Sequence, residues 1–272
     1  MQENEKYFTN WKVPKAQSKE ASWDAIQQKI AEKETKIIPL FGRKWMGIAA
    51  SLALLIALVF MTQSSDTQNY VALEQERNLV NLPDGSRIHL NAGSEVSFDA
   101  DNWSEAREVT LKGEAFFEVE KGSKFSVITN LGSVEVLGTS FNVFDRGESF
   151  YVSCKTGRVR VSNSSSSEIL TPGLKTTLHE GTLMDAFECS EENIAMWMDK
   201  ELYHFDNVSL KSAFDELERQ FGIEINSDQI ETSSLVNADI PLEDVEIALN
   251  ILTTAFDLNY SKNTDKKYIV TK

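Results

Sequence analysis

The chain has 272 residues and a strongly acidic composition, with 42 Asp and Glu against 27 Lys and Arg and a net charge of −15. Phosphate contact requires a basic face, so this charge balance argues against nucleic-acid binding. Three histidines, His89, His179 and His204, are scattered without the spacing of metal ligands. The composition therefore predicts neither a nucleic-acid partner nor a bound metal.

One uncharged segment, from Trp45 to Met61, is the most informative feature of the chain, and no charge follows it until Asp66. About 20 helical residues cross the roughly 30 Å of a bilayer's hydrocarbon core. We therefore predict a single transmembrane helix over residues 45–64. A cleaved signal peptide is disfavoured, because 44 residues precede the segment and no A-x-A-like site follows it. A buried core helix is disfavoured by the length of the segment and its lack of charge.

The charges beside the segment predict its orientation. Residues 1–44 contain nine Lys and Arg against six Asp and Glu, and Arg43-Lys44 directly precede the apolar segment. The positive-inside rule places such a tail in the cytoplasm. About 210 residues are then exported, and residues 45–272 have a net charge of −18. We predict a single-pass protein of the bacterial inner membrane, with its C-terminus in the periplasm.

The N-terminal tail, residues 1–44, contains two short helical patterns, one around residues 3–11 and one around residues 18–33. In the second pattern, Trp23, Ile26 and Ile30 recur at i, i+3 and i+7 and lie on one helix face. A tail with so few apolar residues cannot build much of a core, so this stripe suggests contact with a partner groove. A partly ordered tail, or a helix on the membrane surface, is the alternative.

A long series of strand signals follows the apolar segment. Short β-branched or aromatic segments, from Ile88–Leu90 to Val159–Val161, alternate with turn sequences such as Pro83-Asp84-Gly85 and Thr156-Gly157. Strands at intervals of about 8–12 residues are typical of an all-β sandwich, barrel or solenoid. We predict an all-β periplasmic domain over residues 65–195.

The pattern changes near residue 196. Ser209 is a suitable N-cap for a helix that Gly222 closes, and a second helical pattern follows Pro241. Strand signals flank both helices, in the order β-α-β followed by β-α-β-β. We predict a small α+β domain over residues 196–272, distinct from the all-β domain.

Catalytic motifs are absent from the sequence, which contains no G-x-S-x-G elbow, phosphate loop or H-E-x-x-H. The acid pairs Glu118/Glu120 and Asp215/Glu216 are interpreted as solvent-facing charges. We therefore expect a binding and signalling protein rather than an enzyme, with no cofactor and no small-molecule substrate.

The sequence leaves open whether its two cysteines form a disulfide bond. An oxidising periplasm permits a bridge between Cys154 and Cys189, which lie 35 residues apart. Cys154 also lies in an alternating apolar strand, where it could equally be an inert core residue.

Three segments resemble the periplasmic signature of the FecR-like transmembrane anti-sigma factors, of the Bacteroidetes type. They are LPDGSRIHLNAGSEVSF at 82–98, VTLKGEAFFEVEK at 109–121 and FSVITNLGSVEVLGTSFNVF at 125–144. The stretch from Trp197 through Phe205-Asp206-Asn207-Val208 to Gly222 is similar to the start of the secretin/TonB short N-terminal (STN) domain, which closes many family members.

The resemblance implies a transmembrane relay. An outer-membrane TonB-dependent transducer would contact the C-terminal region through its periplasmic signalling domain. A membrane-embedded protease would then act on the span, and a cytoplasmic extracytoplasmic-function (ECF) sigma factor would change activity. The family's sigma-binding region is usually longer than this tail, so both anti-sigma and pro-sigma activity stay open. A membrane-anchored periplasmic binding or scaffold module without sigma binding is the alternative function.

Two sets of contact residues follow from this scheme. The sigma-factor contacts are Trp11, Trp23, Ile26 and Ile30 in the tail. The transducer contacts lie on sheet edges that could accept a partner strand, at Ile223, Ile225 and Ile269.

Overall fold

The structure is a computed structural model that describes residues 18–31, 48, 50–55, 67–147, 149–199, 201–264 and 266–272. The chain divides into two compact units, Met1–Gln63 and Ser64–Lys272.

The first unit contains helix α1, Lys19–Ala31, which confirms the predicted second helix of the tail. Ser18 caps it, since its Oγ accepts a hydrogen bond from the amide of Ala21 at 3.3 Å. The first predicted helix and Trp11 lie outside the described residues. Of the predicted span, residues 48 and 50–55 are described, and they are helical. Among the described residues, no helix combines the length and the apolar character that crossing a membrane requires.

In the described part of the second unit, fourteen strands come first. Their bounds are β1 Thr67–Ala72, β2 Asn78–Asn81, β3 Arg87–Leu90, β4 Ser94–Asp99, β5 Arg107–Glu118, β6 Phe125–Ile128, β7 Ser133–Val136, β8 Ser140–Arg146, β9 Ser149–Thr156, β10 Val159–Ser162, β11 Ser167–Leu170, β12 Leu174–His179, β13 Thr182–Leu183 and β14 Phe187–Glu188.

These strands form two sheets that share β5. The first sheet has the order β1-β4-β5-β6-β7-β10-β11, and only the β5-β6 pairing within it is parallel. The second has the order β2-β3-β5-β8-β9-β12, and β13 and β14 pair with β12. The N-terminal half of β5 pairs with β4 and β6, and its C-terminal half pairs with β3 and β8.

Gly113 lies where β5 passes from one sheet to the other. Its φ is +103°, a conformation that other residues rarely adopt. A Cβ added there would lie 2.9 Å from the Cα of Ser94 on the neighbouring strand. The crossing therefore requires glycine, both for its backbone angle and for the close approach of β4.

Inward-facing side chains of both sheets form one apolar core, so the all-β prediction is confirmed and the architecture is a sandwich. The core includes Val96, Val109, Val127 and Val161 from the first sheet, and Ile88, Phe117, Phe141 and Val152 from the second. Phe117 and Phe141, on adjacent strands, stack with ring centroids 5.0 Å apart. We call strands β1–β14 the sandwich.

The C-terminal part, residues 196–272, follows the predicted order of elements. Its bounds are α2 Met196–Asp199, β15 Leu202–Ser209, α3 Leu210–Phe221, β16 Glu224–Asn226, β17 Leu235–Pro241, α4 Val245–Ala255, β18 Asn259–Thr264 and β19 Lys267–Thr271. Ser209 caps α3 by accepting from the amide of Ser212 at 3.1 Å, and Gly222 closes it with φ +57°.

Two small sheets complete this part. Strands β15 and β17 pair with each other, and β16, β19 and β18 form a second sheet in that order. A separate apolar cluster built on Phe205, Leu217, Leu249 and Tyr268 joins these sheets to α3 and α4. Phe116 from the outer face of β5 also belongs to this cluster, so the sandwich contributes to the core of the C-terminal part.

Candidate functional site

A buried carboxylate lies where the sandwich meets the C-terminal part. Glu114, on β5, is only 1% exposed. Its Oε1 accepts from Asn142 Nδ2 at 2.8 Å and from the Tyr151 hydroxyl at 3.3 Å. Its Oε2 accepts from Asn91 Nδ2 at 2.8 Å and from the Tyr203 hydroxyl at 2.9 Å. Four donors match the acceptor capacity of an ionised carboxylate, and we call these five residues the acidic centre.

Strand register explains why these hydrogen-bond donors surround Glu114. Phe116 pairs with Asn142 across β5 and β8, which places Asn142 diagonally next to Glu114 on the outer face of the second sheet. Tyr151 pairs with Phe144, the residue opposite Glu114, and so joins the same face from β9. The C-terminal part supplies the last donor through Tyr203 on β15.

The two tyrosine hydroxyls of the acidic centre stay protonated and therefore act as hydrogen-bond donors. Burial raises the pKa of both Tyr151 and Tyr203 well above the ordinary range, and the charge of Glu114 raises it further. Both hydroxyls therefore keep their protons at any physiological pH. The acidic centre has the character of a fixed structural joint between the two parts rather than of an acid–base pair.

A second buried acid lies on helix α3. Glu216 is 1% exposed, and its Oε2 accepts from Arg219 at 3.0 and 2.7 Å. Its Oε1 accepts from Gln220 at 2.8 Å, and Arg146 of the sandwich lies 3.9 Å away. Burial raises the pKa of Glu216, while Arg146 and Arg219 oppose that shift. The prediction that Glu216 faces solvent is therefore wrong, because α3 packs this side against the sandwich.

Gln220 connects the two buried acids to the first strands. Its Nε2 donates to Asn91 Oδ1 at 2.9 Å, and its Oε1 accepts from Arg77 at 3.0 Å. Asn91 also donates to Glu114. A continuous polar network therefore runs from helix α3 to the acidic centre and to the segment between β1 and β2.

A cleft of about 1260 Å³ opens beside the acidic centre, between the outer face of the second sheet and β15. Glu114, Tyr151 and Lys175 line it on the sandwich side, and Trp197 and His204 line it on the other. Lys175 donates to Asp206 at 3.2 Å. Within the described ranges, no group of three His, Cys, Asp or Glu residues could hold a metal ion.

Family comparisons agree with this two-part architecture. Residues 68–160 match the family described as FecR protein, and residues 202–270 match the family described as FecR, C-terminal. The chain belongs to the FecR family.

Solved structures similar to this FecR-family chain have the same fold. Two crystal structures of a candidate anti-sigma factor from Parabacteroides distasonis ATCC 8503, at 2.50 and 1.65 Å resolution, are 26% identical to it in sequence. The TM-scores are 0.70 and 0.69, and the superpositions cover 76% and 75% of this chain and 99% of the other. None of the curated proteins compared matches the chain.

The FecR signature segments meet at the acidic centre. Asn91, Glu114 and Asn142 belong to the three segments at 82–98, 109–121 and 125–144, respectively. The sequence interpretation missed Glu114, although a lone acid inside the apolar stretch G-E-A-F-F is a usable signal for a buried polar site. Only the fold shows that the donors come from both parts of the chain.

The L-P-D-G-S motif of the signature has a structural role. Ser86 donates to Asp84 from its amide at 3.0 Å and from its hydroxyl at 2.9 Å, and Arg107 Nε donates at 2.7 Å. Arg107 also donates to the carbonyl of Ser123 at 2.7 Å. Burial opposes the charge of Asp84, but the hydrogen bonds from Ser86 and Arg107 lower its pKa below the ordinary value. The motif thus fixes the β2-β3 turn to the start of β5.

The predicted sigma-factor contacts in the FecR tail are exposed on one helix. Trp23, Ile26 and Ile30 on α1 are 63%, 48% and 67% exposed, and α1 has no buried residue. Trp11 lies outside the described residues. The spacing i, i+3, i+7 therefore produces the expected apolar stripe in the structure.

The predicted transducer contacts divide between an edge strand and a central strand. Ile225 is a buried residue of β16, which is an edge of its sheet, and Ile223 is half-buried just before it. Ile269 lies on β19, between β16 and β18, so the prediction that it marks a sheet edge is wrong. Sequence signals show that β19 is a strand, but they do not show that it lies between β16 and β18.

Both cysteines of the FecR chain are free thiols in the structure. Cys154 is buried in the sandwich core, and burial raises its pKa to about 11. This matches the interpretation of Cys154 as an inert core residue, because only the thiolate is reactive.

Proposed function

We propose that this FecR-family protein is an anti-sigma factor anchored in the inner membrane through residues 45–64. Its N-terminal tail binds a cytoplasmic ECF sigma factor, and its C-terminal part, which resembles an STN domain, receives a signal from an outer-membrane TonB-dependent transducer. Regulated proteolysis at the membrane then changes the activity of the sigma factor. The family match supports the anti-sigma role, and the P. distasonis relative is described in the same terms.

The exposed apolar stripe on α1 is the observation that supports sigma binding. Trp23, Ile26 and Ile30 lie on one face of a helix that buries nothing itself. Fully burying an exposed side chain of this size is worth about 1.5–3 kcal/mol, and these three are 48–67% exposed, so the stripe supplies roughly 3–5 kcal/mol before the cost of association. A micromolar complex needs about 8 kcal/mol net. We therefore expect Trp11 and the rest of the tail to contribute to the contact.

The free edge of β16 is our proposed contact for the transducer's periplasmic signalling domain, at Ile223 and Ile225. In the described part of the chain, β16 pairs with β19 alone. An edge strand presents backbone donors and acceptors to which a partner strand can pair. The Ile225 amide is occupied by the carboxylate of Glu218 at 2.6 Å, so a partner strand would have to displace this side chain.

A pull-down with residues 1–44 tests the sigma contact. Trp23→Ala with Ile26→Ala should reduce recovery of the sigma factor at least about tenfold, because two large apolar contacts are removed. Asp24→Ala with Gln28→Ala, on the opposite face of α1, is the matched control and should recover as much as the wild type. Equal recovery by the stripe variant and the wild type would show that this face does not bind sigma.

The cleft beside the acidic centre favours the second candidate function, a membrane-anchored periplasmic binding or scaffold module. Its volume of about 1260 Å³ is large enough for a ligand or a peptide. If no sigma factor co-purifies with full-length protein or with its tail, this second function is preferred.

A further inference from the structure

Residues 73–77, the segment between β1 and β2, are held by the end of helix α3. The Gln75 amide donates to the carbonyl of Arg219 at 2.9 Å, and the Gln75 side-chain amide donates to the carbonyl of Phe221. Gln75 has a φ of +66°, a left-handed conformation that a residue other than glycine adopts at some cost. In this conformation both the backbone amide and the side chain of Gln75 contact the end of α3.

Gln75 supplies hydrogen-bond donors to the carbonyls at the end of α3. The last four carbonyls of an α-helix have no partner within the helix. Gly222 satisfies the carbonyl of Glu218, and Gln75 satisfies those of Arg219 and Phe221. A residue between β1 and β2 thus contributes two hydrogen bonds to the C-terminal cap of a helix that lies 146 residues away in sequence.

Arg77 adds a second connection from the same segment. It donates to the side chain of Gln220 at 3.0 Å, and its guanidinium lies 5.9 Å from the centre of the Trp197 ring. We call Gln75 and Arg77, together with the last turn of α3 at residues 219–221, the clasp. Its two side-chain hydrogen bonds are exposed or half-buried, so a competing partner could reach them.

Strand β1, which directly precedes the clasp, is also held by its ladder with β4 and by two hydrogen bonds, from Asn78 Nδ2 to the Val71 carbonyl at 2.8 Å and from the Gly93 amide to the adjacent Leu73 carbonyl at 3.2 Å. Of its six residues only Ala72 is buried. It is an edge strand that pairs with β4, from Thr67 opposite Asp99 to Ala72 opposite Ser94. Tyr70 stacks on Phe98 with ring centroids 5.8 Å apart. β1 is also the first strand after the apolar segment 45–61, so its attachment determines where the folded part of the chain begins.

The clasp is adjacent to the edge strand β16. This strand starts at Glu224, two residues after Gly222, and the Ile225 amide is bonded to Glu218 in the last turn of α3. Arg219, whose carbonyl Gln75 caps, is the next residue. A partner strand that displaces Glu218 would therefore disturb the same helical turn that the clasp holds.

We propose that the clasp couples the C-terminal part to the membrane-proximal strand. When intact, it keeps β1 paired on the sandwich. When a partner displaces Glu218 and loosens the end of α3, Gln75 and Arg77 are released and β1 separates from β4. Residues 67–76 would then add about 33 Å of extended chain next to the apolar segment and become accessible to a protease. The clasp thus specifies the regulation of the proposed relay and rests on that function for its biological role.

Two variants test the clasp in the full-length protein, purified in detergent. One changes the segment between β1 and β2, and the other changes the residue that ends α3. Gln75→Gly with Arg77→Ala removes the side-chain bonds, and glycine accepts the left-handed conformation without strain. Gly222→Ala places a Cβ 2.2 Å from Gln75 Nε2 and so displaces that side chain. Glu74→Ala, an exposed neighbour in the same segment, controls for the first variant. Gly147→Ala controls for the second, because Gly147 has φ +60° and nothing within 4 Å of its added Cβ.

Hydrogen exchange of the β1 amides is the readout, with strand β11 at the opposite edge of the same sheet as internal reference. Both clasp variants should increase β1 exchange about tenfold over their controls, while β11 stays unchanged. Added protease should cut the clasp variants within residues 67–76 sooner than it cuts the controls.

Unchanged β1 exchange in both clasp variants would overturn the proposal. Equal acceleration at β1 and β11 would also overturn it, since it would indicate general loosening of the sandwich. This measurement requires neither transducer nor sigma factor. Faster β1 exchange without any change in sigma-dependent transcription would therefore support the clasp and count against the proposed relay.

Discussion

Removing the Tyr203 hydroxyl measures how much one hydrogen bond between the C-terminal part and the sandwich contributes to the free energy of unfolding. The hydroxyl donates to Glu114 at 2.9 Å, and both residues are buried. Tyr203→Phe keeps the ring and its packing against Phe205, whose centroid lies 4.9 Å away, and removes only the donor. The variant therefore isolates one hydrogen bond to a buried carboxylate.

The expected cost follows from the charge of the acceptor. A hydrogen bond to a charged group contributes about 1.5–3 kcal/mol, and the remaining donors, Asn91, Asn142 and Tyr151, cannot replace the lost one without moving. For a unit of about 200 residues, each kcal/mol lowers the Tm by roughly 2–4 °C. We therefore expect Tyr203→Phe to lower the Tm of residues 64–272 by about 3–12 °C.

Thermal and urea unfolding of residues 64–272, the second compact unit, provide the assay. Tyr70→Phe is the matched control, because its hydroxyl donates to the Gln68 side chain at 2.9 Å in a solvent-exposed hydrogen bond that should contribute less than about 0.5 kcal/mol. A double-mutant cycle with Glu114→Gln should give a coupling energy of about 1 kcal/mol or more. A Tyr203→Phe loss no larger than the Tyr70→Phe loss, or strict additivity in the cycle, would refute the reasoning.

The remaining predictions concern the sandwich. Gly113→Ala should destabilise residues 64–272 by about 2–5 kcal/mol in urea unfolding, since it combines a strained φ with overlap on β4. Gly147→Ala, at φ +60° with open space around its added Cβ, should cost about 1 kcal/mol; equal losses would contradict the combined argument from backbone angle and close approach. For Asp84, the folded-state pKa is lowered, so its stabilisation is present above the unfolded pKa of about 4 and is lost as pH falls through the folded value. The difference in urea midpoint between wild type and Asp84→Asn should therefore be largest at pH 7 and shrink below about pH 4; a constant difference would contradict the assignment.

Several features of this FecR-family chain were determined by local sequence. Alternating apolar residues predicted the strands, because one face of each strand must be buried. Helix α3 was predicted from Ser209 at its start and Gly222 at its end, since capping depends on a few neighbouring residues. The exposed stripe on α1 followed from its spacing alone. The apolar segment at 45–61 was evident from its composition, and its role as a span stays a prediction.

Other features depend on contacts that sequence proximity does not show. Glu114 and Tyr203 are 89 residues apart, and Gln75 and Phe221 are 146 apart. Glu216 differs from an exposed helical acid only because α3 turns that side toward the sandwich. Strand pairing also placed β19 in the centre of its sheet and divided β5 between two sheets. Local patterns determined which segments form helices and strands, whereas the packing of distant segments decided which polar side chains meet and which strand edges stay free.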